Sequence, residues 1–110
     1  MLVDEKILME LVEGVLKIME HQVVSIVLYG SVARGTNTDE SDVDVAILMK
    51  WQMDKETEEN LSDLVVDMNL KYDKIFSVID IDFDKFKKWE KVTPFYQNVI
   101  QEGIVLWRAA

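Results

Sequence analysis

Cysteine is absent from this chain, which excludes disulfides and thiolate chemistry and is compatible with a reducing, cytoplasmic location. No apolar run approaches the ~20 residues of a membrane span. The opening residues, MLVDEKILMELVEGVL, hold neither a basic segment nor a cleavage site, so they do not read as a signal peptide. Cations are few: 12 Lys and Arg stand against 21 Asp and Glu, for a formal net charge of −9. That balance argues against sequence-independent binding to nucleic-acid backbones, which needs Lys and Arg. It suits a small-molecule substrate carried in with cations, or a basic protein partner. The single histidine, His21, falls at a helix end and reads as solvated near the helix C-terminal dipole. Repeats, low-complexity tracts and interdomain linkers are also lacking, so residues 1–110 are expected to form one small domain.

What is present is a regular alternation of helical and strand patterns. Ile7, Leu8, Leu11, Val12, Val15, Leu16 and Met19 follow the i, i+3, i+4, i+7 spacing of an amphipathic helix, with Asp4 as its N-cap. Val23 to Tyr29 is β-branched and almost wholly apolar, the pattern of a strand buried on both faces. Ser31 to Arg34 fits one helical turn, Val43 to Met49 a second strand, and Asp54 the start of a second long helix with Leu61, Leu64, Val65, Met68 and Tyr72 as its inner stripe. Ile75 to Asp82 reads as a third strand and Asp84 to Trp89 as a short helix. Thr93-Pro94 opens a helix, with Thr as N-cap and Pro at the first position, and Gly103 closes it as a C′ glycine before a last strand at Ile104 to Trp107. This order predicts an α/β or α+β fold with a small mixed sheet flanked by helices.

The chemistry concentrates in residues 26–48, IVLYGSVARGTNTDESDVDVAIL. An apolar strand ends in Gly30-Ser31, where backbone N–H groups and a hydroxyl can receive phosphate oxygens. After ten further residues comes Asp42-Val43-Asp44, opening the next strand. Strand side chains alternate faces, so Asp42 and Asp44 point the same way. Two like charges on one face repel unless a cation sits between them, and hard carboxylate oxygens suit Mg²⁺. Each half is a weak signal alone. Together, a phosphate cradle and a pair of metal ligands at one sheet edge are what nucleotidyl transfer needs, with two ions ~3.5–4 Å apart activating the acceptor hydroxyl and stabilising the leaving pyrophosphate.

Gly30-Ser31, ten residues and Asp42-x-Asp44 resemble the signature of the DNA polymerase β-like nucleotidyltransferases. The fuller pattern, Gly30-Ser31-x-Ala33-x-Gly35 with Ser41-Asp42-x-Asp44, and the later run Pro94-Phe95-Tyr96-Gln97-Asn98 to Glu102-Gly103-Ile104-Val105-Leu106, are similar to its minimal (MNT) branch of small single domains. The resemblance implies a polymerase β-like palm fold. It implies that Asp42 and Asp44 are metal-binding catalytic carboxylates and that Gly30 and Ser31 hold the triphosphate, with Arg34 beside them as a phosphate contact. It also implies ATP as substrate, Mg²⁺ as cofactor and AMP transfer to a hydroxyl. The acceptor class it suggests is a tyrosine on a partner HEPN toxin, the chain acting as antitoxin. Two other outcomes stay open: a binding module that neutralises its partner by contact alone, and a small-molecule adenylyltransferase. Homo-oligomers are compatible with either.

The family usually places a third acid on a neighbouring strand. In IFSVIDIDF the aligned position is Ser77, whereas Asp80 and Asp82 lie on the opposite face of a regular strand. Either a register slip brings in Asp80, the candidate third catalytic residue, or the third acid is missing.

Overall fold

The computed structural model describes residues 4–38 and 40–110. Helix α1 (Glu5–Met19) starts where the Asp4 carboxylate accepts the Lys6 N–H at 2.8 Å, and a 3-10 turn (Glu20–Gln22) carrying the exposed His21 leads into strand β1 (Val23–Tyr29). A five-residue helix α2 (Gly30–Arg34) follows directly, then a loop and strand β2 (Val43–Met49). Helix α3 (Lys55–Tyr72) is capped by Asp54, which accepts the Thr57 N–H. Strand β3 (Phe76–Asp82), helices α4 (Phe83–Trp89) and α5 (Pro94–Glu102), and strand β4 (Ile104–Arg108) complete the order. Among the described residues, no helix is long and apolar enough to cross a membrane.

The four strands form one mixed sheet in the order β3-β2-β1-β4. β1 runs antiparallel to both β2 and β4, while β2 and β3 are parallel. Alternation along each strand divides the apolar side chains between two layers. On one face Ile26, Leu28, Val43, Val45 and Ile47 pack against Leu8, Leu11, Val12 and Val15 of α1 and Leu61 and Met68 of α3. On the other, Val27, Ala46, Leu48 and Ile81 meet Phe86 of α4 and Val99 of α5. The antiparallel β1–β2 pair puts the end of β1 beside the start of β2, and the parallel β2–β3 pair puts the start of β3 there as well. Three strand ends thus converge at one edge of the sheet.

Two local expectations needed correction. Thr93 occupies the N-cap position of α5, but its side chain makes no capping hydrogen bond. Gly103 follows α5 with φ −69° and ψ 141°, extended rather than left-handed. Glycine is required there for space, because a Cβ would collide with the Val99 carbonyl oxygen and the Val27 side chain.

Candidate active site

Tyr29, Asp44 and Ser77 lie side by side across the convergent edge, since Tyr29 pairs with Asp44 on β1–β2 and Asp44 with Ser77 on β2–β3. Gly30 turns the chain out of β1 with φ +76°, a conformation open to glycine, and passes so close to Asp44 that a Cβ would strike its Oδ2. The turn before Asp42 is held by local bonds typical of Ser and Thr: Thr38 N–H donates to Ser41 Oγ at 2.9 Å and Ser41 N–H to the Thr38 carbonyl at 3.1 Å. The Val43 N–H then donates to the Ile75 carbonyl at 2.8 Å, locking the start of β2 to the chain entering β3.

Electrostatically the edge is unsettled. Asp44 is half-buried and Asp42 exposed. Burial and then the Asp42 charge push the Asp44 carboxyl above the ordinary carboxylate range, and the Arg34 charge opposes them. Tyr29 is pushed up too, by burial and then by Asp44, which reflects how near its hydroxyl lies to that carboxylate. A divalent cation would reverse this repulsion. No group of three Asp, Glu, His or Cys placed to hold a metal occurs among the described residues. Among the described residues Asp42 and Asp44 are the carboxylates brought to this edge, a donor set that fits one Mg²⁺ completing its shell with water and phosphate oxygens.

Of the residues singled out in the sequence, Gly30, Asp42 and Asp44 come together, with Ser31 and Arg34 on the helix that follows Gly30. Arg34 carries an ion pair not visible in the sequence: its Nη1 donates to Glu102 Oε2 at 2.8 Å, tying α2 to the end of α5. Its charge still reaches Asp44, and its remaining guanidinium N–H groups are not used by Glu102.

Asp80 does not join this group. The β2–β3 register runs without a shift from Val43–Phe76 to Met49–Asp82, so Asp80 pairs with Ile47, three residues further along and on the opposite face from Asp44. Its side chain is exposed. Asp82 is committed elsewhere, capping α4 by accepting the Lys85 N–H at 3.0 Å. The position beside Asp44 belongs to Ser77.

Two further residues at this edge, Tyr29 and Glu102, carry no site signal of their own in the sequence. Tyr29 becomes visible once β1 and β2 are paired antiparallel, since the residue before Gly30 must then face the second aspartate. Phe95 packs edge-on against it, with ring centroids 5.6 Å apart. Glu102 is 68 residues from Arg34, and no local signal links them.

The sequence profile of the family described as Polymerase beta, Nucleotidyltransferase matches residues 13–110. The chain is similar to two Methanocaldococcus jannaschii proteins named as protein adenylyltransferases. One is 32% identical over 107 residues, covering 94% of this chain and 98% of its own length. The other is 32% identical over 99 residues, covering 90% and 94%. Among solved structures, a toxin–antitoxin complex with AMP-PNP contains a chain that superposes with a TM-score of 0.65 at 22% identity, over 97% of this chain and 75% of that one. A Shewanella oneidensis complex of a tri-AMPylated HEPN toxin with an MNT antitoxin gives 0.52 at 17% identity, over 92% and 72%. At these identities the structural likeness is one of fold.

Proposed function

Starting from a chain that belongs to the Polymerase beta, Nucleotidyltransferase family, we propose that it transfers AMP from ATP, with Mg²⁺, to a hydroxyl of a partner protein, a tyrosine of a HEPN-type toxin that it thereby silences. The observation that carries this reading is the contact between the Gly30 turn and Asp44, which joins a phosphate-accepting backbone to a carboxylate pair in one place. Support for a protein acceptor comes from the names of the two archaeal relatives, and support for a HEPN partner from the assemblies in which the structural neighbours occur.

In this reading the Gly30-Ser31 turn holds the β- and γ-phosphates and Arg34 adds donors from its free guanidinium edge. When bound to Asp42 and Asp44, Mg²⁺ neutralises charge on the phosphates and lowers the pKa of an oxygen it ligates. The acceptor oxygen forms a bond to Pα, the bond from Pα to the bridging oxygen breaks, pyrophosphate departs and the hydroxyl proton passes to water. The test uses ATP labelled at the α- or the γ-phosphate, Mg²⁺ and a HEPN-type protein as acceptor. Label from the α position alone is expected on the partner. Label from the γ position would make the protein a kinase, and no label from either would leave neutralisation by contact.

That contact-only reading draws on one observation, Ser77 in place of a third carboxylate. Ser77→Asp is therefore informative. The new carboxylate would sit beside Asp44, so without metal the variant is expected to melt lower through like-charge repulsion. With Mg²⁺ it is expected to regain stability and to transfer several-fold faster, as a third ligand strengthens the ion's hold. A melting temperature indifferent to Mg²⁺ in both wild type and Ser77→Asp would refute a metal site at this edge.

A further inference from the structure

We propose that the outer face of α3, running from Val66 and Leu70 to Ile75, is the surface on which the acceptor protein docks, presenting a hydroxyl-bearing segment with apolar and basic side chains to Asp42. This rests on the nucleotidyl-transfer reading above, and names where the acceptor enters.

In-line displacement puts the attacking and leaving oxygens on opposite sides of phosphorus. With the leaving phosphates at Gly30-Ser31, at the end of β1, the acceptor must come from the other flank of β2. The sheet order β3-β2-β1 makes that flank the start of β3. A pocket of about 360 Å³ opens there, lined by Glu40, Asp42, Asn69, Asp73, Lys74 and Ile75 among others. Asp42, one of the two catalytic candidates, lines it, so it flanks the site on this side, while Asp44, Gly30 and Ser31 lie beyond its lining.

The approach to this pocket is apolar where a solvated helix face would be polar. Asn69 and Asp73, which line it, share a helix face with Val66 and Leu70 through the i, i+3, i+4, i+7 spacing. Val66 is 53% exposed, Leu70 78% and Ile75 60%. The inner stripe of α3, with Leu61 and Met68, already supplies the core contacts, so these three are not core residues left uncovered by poor packing. The junction is also rigid. Asn69 Oδ1 accepts the Phe76 N–H at 2.8 Å, the Lys74 N–H donates to the Asn69 carbonyl, and Ile75 is held to Val43 through its carbonyl. A preformed surface binds at lower entropic cost.

Charge selects the partner. Three carboxylates, Glu40, Asp42 and Asp73, face one lysine in the pocket, on a chain of net charge −9. An acidic mouth with an apolar lip fits a basic segment carrying apolar side chains, and steers it by complementarity. A larger apolar cavity of about 480 Å³, between α4, α5 and strands β1 and β4, includes neither aspartate of the pair nor Gly30 and Ser31.

The experiment measures AMP transfer against increasing concentration of that HEPN-type acceptor protein, with ATP–Mg²⁺ affinity followed by calorimetry. Leu70→Ser and Ile75→Ser are expected to raise the KM for the acceptor on the order of tenfold each, with ATP affinity and melting temperature unchanged. Val92→Ser, equally exposed at 65% but between α4 and α5, should behave as wild type. If wild type labels no acceptor, the transfer reading falls and the docking face with it. If wild type transfers and the two α3-side variants match it, or Val92→Ser shows the loss instead, the docking face alone is overturned.

Discussion

Asp44→Asn should lower AMP transfer by about 10³-fold or more, while leaving the protein folded and, in EDTA, no less stable than wild type. The activity loss follows from removing one of the two carboxylates that the described residues bring to this edge; asparagine keeps the shape and a neutral oxygen, but not the charge that holds a divalent ion. The stability prediction follows from the sign of the pKa shift. Burial, then the Asp42 charge, raises the folded-state value of Asp44 above that of the unfolded chain. Near neutral pH the unfolded state therefore accommodates the ionised group better, and the folded state is penalised. That penalty is absent below the unfolded carboxylate range and grows as pH rises through the raised folded value. Asparagine carries no such penalty, so the variant's melting temperature at pH 7 in EDTA should equal or exceed that of wild type, and the gap should close on acidification. Added Mg²⁺ should then raise the wild-type melting temperature and leave the variant's unchanged, because only a state that binds the ion gains from it. Full activity in Asp44→Asn would show that this edge is not the site. A lower melting temperature at pH 7 in EDTA would show that the carboxylate is structural.

How much of this was legible in the sequence depends on the range of the interaction involved. The elements were readable because hydrophobic period and caps are local: Asp4 caps the helix it is expected to cap, the second long helix starts at Asp54, and the β-branched run at Val23 to Tyr29 is a strand with apolar side chains on both faces. The mixed sheet followed from the order of those elements. Side-by-side placement of Asp44 and Gly30 was readable because only one short helix and a loop separate their strands. The neighbour on the third strand was not, since an 18-residue helix intervenes and a bulge would have moved Asp80 inward. Only the unbroken β2–β3 register decides for Ser77. Arg34–Glu102 lay beyond reach for the same reason, as an ion pair across 68 residues leaves no local periodic trace. Gly103 is a different kind of miss. Its position at the helix end was right, but the reason lies in the third dimension, in how tightly the chain passes Val27.

The same distinction, between glycine for conformation and glycine for space, makes Gly30→Ala the second large effect. Gly30 and Gly35 both have φ +76°, so alanine at either costs about 1–2 kcal/mol in backbone strain. At Gly35 that is the whole cost, because among the described residues nothing lies within 4 Å of the point a Cβ would occupy. At Gly30 the Cβ would collide with Asp44 Oδ2, and either the turn or the carboxylate must move. A displacement of about 1 Å in a catalytic group is enough to cost on the order of 10²-fold in rate. Gly30→Ala is accordingly expected to lose about 10²-fold in transfer, whereas Gly35→Ala, destabilised to a similar degree, should keep most of its activity. Comparing the two at a temperature where both remain folded separates strain from steric displacement. Equal activity in the two variants would mean that the Gly30 turn does not position Asp44. The expected divergence would mean that the glycine closing β1 serves the carboxylate as well as the phosphates, because the backbone must pass against Asp44 for both groups to face one nucleotide.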